Sequence, residues 1–280
     1  MGSLYRRKTL TSNMKTINSD ELKKIQLGIL EFTADFCNAN NISYWINAGT
    51  MLGAIRHKGF IPWDDDIDIG MLRSDYDKFV RLFNTNSSNR YRFHCFENDT
   101  KYMLHIGKVY DESTILYEPD KKNGRKMSVN IDVFVYDNIP NSPEAMKLYK
   151  IRDFYKRIWR LQKAKDHKGS KIRQKLVGCI GTVLRIIPTR WVVDRIVNNG
   201  YKYRNIHTGF VGDYVGAHDV IIPLELLNNF INVEFEGKEY RVPAEYDKWL
   251  RLFYGNYMEL PPVDKQVSYH RFEAYYREGK

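Results

Sequence analysis

One stretch constrains this chain more than any other: Trp45 to Ile69, which reads WINAGTMLGAIRHKGFIPWDDDIDI. Asp64, Asp65, Asp66 and Asp68 crowd together beside Trp63, Ile67 and Ile69, three side chains that require burial. Carboxylates held this close repel one another, and burying them raises the cost further unless a cation or donor groups answer the charge. The fold therefore has to bring this run to the rim of a core, with the apolar residues inside and the acids at a mouth.

Read as a strand, Ile61–Met71 puts residues two apart on one face. Asp66 and Asp68 then lie side by side, and Ile67 and Ile69 enter the core. Ahead of the acids, the turn Ala48-Gly49-Thr50 offers backbone N–H groups and a hydroxyl to phosphate oxygens. A short helix is expected over Met51–Arg56. A solvated acidic loop is the competing reading, and the apolar flanks oppose it. An EF-hand is excluded: Asp64, Asp66 and Asp68 fit its first ligands, but Ile69 replaces the required glycine and Asp75 falls where Glu is needed.

A second acid stands out. Val129 to Tyr136 alternates as a strand, with Val129, Ile131, Val133 and Val135 on one face and Asn130, Asp132 and Phe134 on the other. Asp132 is either a buried structural acid or a third carboxylate beside Asp66 and Asp68. Three such acids suit Mg²⁺ or Mn²⁺ binding substrate phosphates. Arg56, His57 and Lys108 could then neutralise charge in phosphoryl transfer. Taken singly, His57 and His270 are more often surface residues.

The rest reads as α+β. Residues 1–17 are expected to be a tail. Asn18 with Glu21 opens an amphipathic helix that runs to about Ala39, carrying Leu22, Ile25, Ile29, Phe32 and Phe36. A strand follows over Ile42–Ile46, then a helix capped by Ser74. Residues 84–90 are a polar loop. Strands are expected at Tyr91–Cys95, His105–Tyr110 and Ser113–Tyr117, with a charged turn at 120–126. A hairpin closes at Glu236-Gly237-Lys238, and a helix runs from Pro243 to a Gly255 cap. Composition shifts at Pro140 and Pro143. This predicts a catalytic core at 18–140, a basic helical subdomain at 141–205, and a C-terminal hairpin and helix at 206–280.

The 280 residues carry a net charge of +10, unevenly spread. Between Lys147 and Arg195 there are 15 Lys or Arg against 3 acids, a local +12, so the remainder carries −2. This segment is either a solvated helical face or a contact for anionic lipid or a phosphate-rich, lipid-linked acceptor. No nucleic-acid-binding motif is present. Three widely spaced cysteines without a C-x-x-C pair suit a reducing compartment. The N-terminal residues lack an apolar leader segment, and no run is long enough to span a membrane. The expectation is a cytoplasmic protein, peripheral at the inner membrane face.

Gly49-Thr50, Asp66-Ile67-Asp68-Ile69 and Ile131-Asp132-Val133 resemble the three-carboxylate signature of the nucleotidyltransferase superfamily. The long run GTMLGAIRHKGFIPWDDDIDI resembles more closely the LicD family of phosphocholine transferases, which has fukutin-related ribitol-phosphate transferases among its relatives. The resemblance continues through Arg73–Phe79, Lys108–Ile115, Asn130–Asp137, Val242–Pro262 and His270, and is poor over 143–200. It implies a nucleotidyltransferase-like mixed sheet flanked by helices. It also implies Mg²⁺-dependent transfer of phosphocholine from CDP-choline, or of another phospho-alcohol from a CDP-alcohol donor, to a hydroxyl of a cell-surface glycan precursor. By this analogy Asp66 and Asp68 hold metal, Asp132 is ligand or base, and Gly49 and Thr50 cradle the diphosphate. Asp64, Asp65, Arg56, His57, Lys108 and His270 would contact substrate. Trp63 and Tyr110 are candidates for an aromatic cage around choline. A ribitol-, glycerol- or sugar-phosphate transferase, and a non-catalytic acid-lined binding protein, are the alternatives.

Overall fold

The computed structural model describes residues 14–86, 90–118, 125–163, 171–268 and 272–277. Helix α1 (Ser19–Ala39) starts at the expected box. Asn18 Oδ1 accepts from the Glu21 N–H at 2.9 Å, and the Glu21 carboxylate accepts from the Asn18 N–H at 3.2 Å. Leu22, Ile25, Ile29 and Phe36 are buried along one side. Asn40 closes the helix, and Asn41 turns the chain with φ at 51°.

The next elements are shorter or longer than expected. Only Trp45–Ile46 (β2) of the strand expected over Ile42–Ile46 is paired. The Ala-Gly-Thr turn is instead the first turn of a continuous helix, α2 (Ala48–His57). Strand β3 covers Asp68–Leu72 rather than Ile61–Met71. Pro62 cannot donate to a ladder, and the Asp64 N–H is used in a turn to Ile61 O at 2.8 Å, so the chain becomes extended and paired only past the acids. Helix α3 (Arg73–Asn86) follows β3 directly, which places Ser74 inside the helix instead of at its cap.

Strand β4 (Tyr91–His94) lies against the first half of β5 (Gly107–Glu118). Two strands were expected where β5 is one, irregular between Asp111 and Leu116. The buried Asp111 carboxylate stabilises that irregularity by accepting from Ser113 N at 3.0 Å, Ser113 Oγ at 2.6 Å and Arg90. Strand β6 (Arg125–Asn138) buries Val129, Ile131, Val133 and Val135 as the alternation predicts. The turn expected at 120–126 falls largely outside the described residues.

The helical segment comprises α4 (Glu144–Lys163), α5 (Lys171–Leu184) and α6 (Thr189–Val197). Short strands β7 (Phe210–Gly212) and β8 (Ile222–Pro223) follow. The hairpin is β9 (Phe230–Phe235) and β10 (Lys238–Pro243), turning through Glu236 and Gly237 at φ of 52° and 76°. Helix α7 (Tyr246–Tyr254) begins later than expected, because Pro243 still belongs to β10. Within the tail expected over 1–17, β1 (Thr16–Ile17) is a strand that pairs with β11 (Glu273–Tyr276), which pairs with β5; residues 1–13 lie outside the described residues.

Among the described residues the main sheet has nine strands, in the order β1-β11-β5-β6-β3-β2, with β4 on β5 and β7-β8 extending β6. The sheet is mixed, since β3 runs parallel to β6 while β2, β5 and β7 pair antiparallel to their neighbours. With seven α-helices among the described residues, the fold is α+β. One core joins α1, α2, α3, the sheet and α7, and Val193 and Val197 of α6 enter it too. A smaller core of Ile139, Ala145, Leu148, Tyr149, Tyr203 and Tyr214 seats α4.

Candidate active site

Three adjacent strands meet at the site. In the parallel β3–β6 register Asp68 is opposite Asp132, and in the antiparallel β5–β6 register Lys108 is opposite Asp132. Asp68, Asp132 and Lys108 therefore stand abreast across the sheet, on the face away from Ile67, Ile69, Ile131 and Val133, all fully buried. Asp66 is not a strand residue; it sits in the extended segment that leads into β3. That segment is still fixed, because Ile67 O accepts from the Asp132 N–H at 2.9 Å. Gln26 of α1 pins it from the other side, donating to Asp65 O at 2.9 Å and Asn130 O at 3.4 Å.

The N-terminus of α2 meets the acids. The Asp68 N–H donates to Thr50 Oγ1 at 2.8 Å, so the Thr50 hydroxyl holds the start of β3. Asn47, just before α2, donates its N–H to Asp68 O at 2.9 Å. A Cβ at Gly49 would lie 2.7 Å from Asp64 Oδ2, so glycine lets this carboxylate approach the helix end. Asp65 accepts from Ser268 Oγ at 3.0 Å.

Among the described residues, three further carboxylates and one ammonium act on Asp68. Asp68 is 8% exposed. Burial first, then the charges of Asp66, Asp132 and Asp64, push its carboxyl well above the usual carboxylate range, and Lys108 relieves only part of this. The Lys108 ammonium ion-pairs with Asp132 and donates to Asn130 Oδ1 at 2.9 Å. Burial and the neighbouring Asp68, Asp64 and Asp66 hold the Tyr254 hydroxyl protonated. Among the described residues no three His, Cys, Asp or Glu side chains converge closely enough to enclose a cation. The donor chemistry nevertheless suits one, since hard carboxylate oxygens crowd together beside the Lys108 ammonium.

A cleft of about 270 Å³ opens beside these groups. Asp65, Asp66, Lys108, Asn130 and Asp132 line its polar wall. Leu22, Leu104, Ile106, Leu116, Met127, Trp159 and Phe272 supply its apolar lining, and His105 also borders it. The Trp159 indole is fixed by donating to Met103 O at 3.0 Å and by a T-shaped contact with His105 at 5.1 Å. His105 is held neutral by burial and then by the nearby Lys156, Lys108 and Arg160. Helix α4 thus supplies one wall of the site, a role that the sequence reading did not assign to it.

Other expected residues fall elsewhere. Arg56 and His57 lie at the far end of α2, where Arg56 donates to Tyr257 O at 2.6 Å and to His57 Nε2 at 2.9 Å. Burial and then Arg56 lower the His57 pKa, consistent with a neutral ring. Trp63 packs near His57, with ring centroids 6.5 Å apart, and is not part of the cleft wall. Tyr110 is buried against His94 at 5.6 Å; it shares the sheet face of Lys108 but is not among the residues that line the cleft. His270 lies outside the described residues.

Comparison with known proteins shows the family. Residues 41–156 match the family model described as LicD/FKTN/FKRP, nucleotidyltransferase domain. That span contains all three acids and ends within α4. The chain is 32% identical over 276 residues to the lipopolysaccharide cholinephosphotransferase LicD of Haemophilus influenzae, covering 94% of this chain and 99% of the relative. The chain belongs to the LicD family. Human ribitol 5-phosphate transferase FKRP is 38% identical over 62 residues, which is 22% of this chain and 11% of FKRP. Human FKTN is 25% identical over 122 residues, 43% of this chain and 23% of FKTN. The family model stops short of α5 and α6, whereas the full-length match to the bacterial LicD runs through them.

In this LicD-family chain the cleft also depends on contacts that no short motif announces. From α4, Arg152 donates to Asp213 O at 3.3 Å and His218 O at 3.2 Å, and Lys156 donates to Gly216 O. His218 in turn packs on Phe253 and Tyr254, at 5.2 and 5.7 Å. Two members of the basic excess, Arg152 and Lys156, are therefore buried supports rather than surface charge.

Proposed function

We propose that this protein transfers phosphocholine from CDP-choline to a hydroxyl of a cell-surface glycan precursor of lipopolysaccharide or teichoic-acid type. The observation that carries this reading is the near full-length similarity to a lipopolysaccharide cholinephosphotransferase. Asp66, Asp68 and Asp132 would hold Mg²⁺ or Mn²⁺, which would supply charge neutralisation for the diphosphate.

The chain's own groups have separate roles in this scheme. The α2 N-terminus at Gly49 and Thr50 receives phosphate oxygens with its N–H groups. Lys108 turns from Asp132 toward the transferring phosphoryl group and stabilises its charge. Asp132 then accepts the proton from the acceptor hydroxyl. The acceptor oxygen–phosphorus bond forms, the bond to CMP breaks, and CMP leaves. Trp159 and the adjacent apolar wall exclude water from the phosphoryl group.

A cytoplasmic location supplies the CDP-linked donor. A lipid-linked acceptor would bring the enzyme to an anionic membrane face, which the basic helices suit. The FKRP and FKTN matches favour a second reading, ribitol phosphate as the transferred group. A panel of CDP-choline, CDP-ribitol and CDP-glycerol, scored by CMP release with Mg²⁺ and with EDTA, separates the two. The expected result is Mg²⁺-dependent release from CDP-choline, abolished in Asp66→Ala/Asp68→Ala. Faster turnover of CDP-ribitol moves the assignment to the second reading, and turnover that survives the double substitution removes the catalytic role of the acids.

A further inference from the structure

We infer that α5 lies in the surface of an anionic bilayer, with Leu176, Ile180, Val183 and Ile186 inserted among the lipids. This rests on the reading of the basic helices as a membrane contact, and it adds the inserting residues and the geometry. Leu176, Ile180 and Val183 recur at i, i+4 and i+7 and so share one side of α5. They are 61, 43 and 64% exposed, and Ile186, just past the helix end, is 82% exposed. A run of large apolar residues left open to water marks an interaction surface.

The outward direction of this face is fixed. Gly181 of α5 is buried, and a Cβ there would lie 2.9 Å from Leu161 O of α4. Gln162 of α4 also donates to Leu184 O at 2.8 Å and Ile187 O at 2.9 Å. Helix α5 is thus seated on α4 by its small side, and its apolar side points away.

The charge pattern selects the occupant. No acid occurs between Asp166 and Asp194, while Lys168, Lys171, Arg173, Lys175, Arg185 and Arg190 do. Two copies of so basic a segment would repel each other, whereas anionic headgroups complement it. Spanning the bilayer is excluded by the neighbouring helix. Leu176–Leu184 and the segment from Thr189 are apolar enough together, but they meet at 86°. Moreover, Val192, Val193, Ile196 and Val197 of α6 are buried in the protein. What remains is a helix lying in the interface, anchored by apolar insertion and by charge. Because α4 carries both this seat and Trp159, insertion sets the catalytic cleft beside the lipid surface, where a lipid-linked hydroxyl would arrive.

Cys179 provides the test. It is exposed on α5, while Cys37 and Cys95 are buried, so a thiol-reactive environment-sensitive dye reports from this helix. The labelled protein is mixed with vesicles of phosphatidylcholine alone, or of phosphatidylcholine with phosphatidylglycerol, and sedimented. We expect binding and a blue-shifted dye with the anionic vesicles only. Val183→Glu/Ile186→Glu should weaken that binding about tenfold or more, while CMP release with a soluble acceptor is unchanged. Undiminished binding of this variant with the dye still in water overturns insertion and leaves the basic contact standing. No binding to either vesicle overturns the membrane reading itself, and equal binding to both overturns the selection for anionic lipid. None of these outcomes depends on which CDP-alcohol is the donor.

Discussion

Asp137→Asn is expected to unlock the two parallel strands that carry the acids. Arg73, the first residue of α3, directly follows β3, and Asp137 lies near the end of β6. Arg73 Nε donates to Asp137 Oδ1 and Nη2 to Oδ2, both at 2.7 Å, with side-chain exposures of only 9% and 3%. Burial alone would lower the Arg73 pKa, but the Asp137 carboxylate more than offsets it, so the guanidinium stays charged. Substituting Asn removes the charge and turns an amide N–H₂ toward a donor. Arg73 would keep Asp77 at 3.2 Å and Glu97 at 3.6 Å, and Arg204, 3.6 Å from Asp137, would also lose its counter-charge. Breaking a buried pair from one side costs about 3–5 kcal/mol; the two remaining carboxylates place this case near the lower end, at about 3 kcal/mol. For a chain of this size that is a fall in Tm of roughly 6–9 °C. Urea unfolding followed by circular dichroism measures it, with an unchanged m-value expected. A loss below about 1 kcal/mol would falsify the clamp. Arg73→Met/Asp137→Leu provides a control, since replacing both partners by apolar groups should recover much of what the single substitution loses.

Asp68→Asn should abolish CMP release yet stabilise the metal-free protein. The folded carboxyl titrates above its unfolded value, so the folded state binds more protons across that window and stability falls as pH rises through it. A thermal series against pH should show the decline flattened in the variant, with Tm at neutral pH higher by roughly 2–4 °C, and Mg²⁺ should raise the wild-type Tm only. Lys108→Met should cut kcat about 10²-fold or more with the fold retained; an unchanged kcat removes Lys108 from the reaction. Burial pushes Lys156 from 10.5 down to about 8. The unfolded chain binds more protons between those values, so Lys156 adds stability as pH climbs from about 8 toward 10.5. Lys156→Met should lack that rise when its urea midpoint is compared with wild type across the range. Trp159→Ala should raise hydrolysis of the donor relative to transfer; an unaltered ratio of the two products refutes its role in excluding water.

Local chemistry made several elements legible in the residues alone. Asn18 and Glu21 satisfy each other's backbone within one turn, so the start of α1 needs no distant partner. The Glu236-Gly237 turn and the alternation Val129–Val135 are equally local, and each appears where expected. The placing of Ile67 and Ile69 in the core, with acids crowded beside them, was legible for the same reason. What the residues alone did not contain is set by partners far along the chain. Pairing with β6 begins at Asp68 and with β2 at Ile69, which leaves Asp66 outside the ladder. Glu273–Tyr276 becomes a strand because the second half of β5 offers it an edge, and Thr16–Ile17 then pairs with it. Lys108 acquires its meaning from a register that sets it opposite Asp132. Arg152 and Lys156 read as surface charge until the loop at Asp213–Asp219 covers them. Trp159 reads as one more aromatic residue until α4 brings it to the cleft. Short-range hydrogen bonding and side-chain periodicity are written in neighbouring residues, whereas register, burial of charge and the walls of the cleft exist only once distant segments meet.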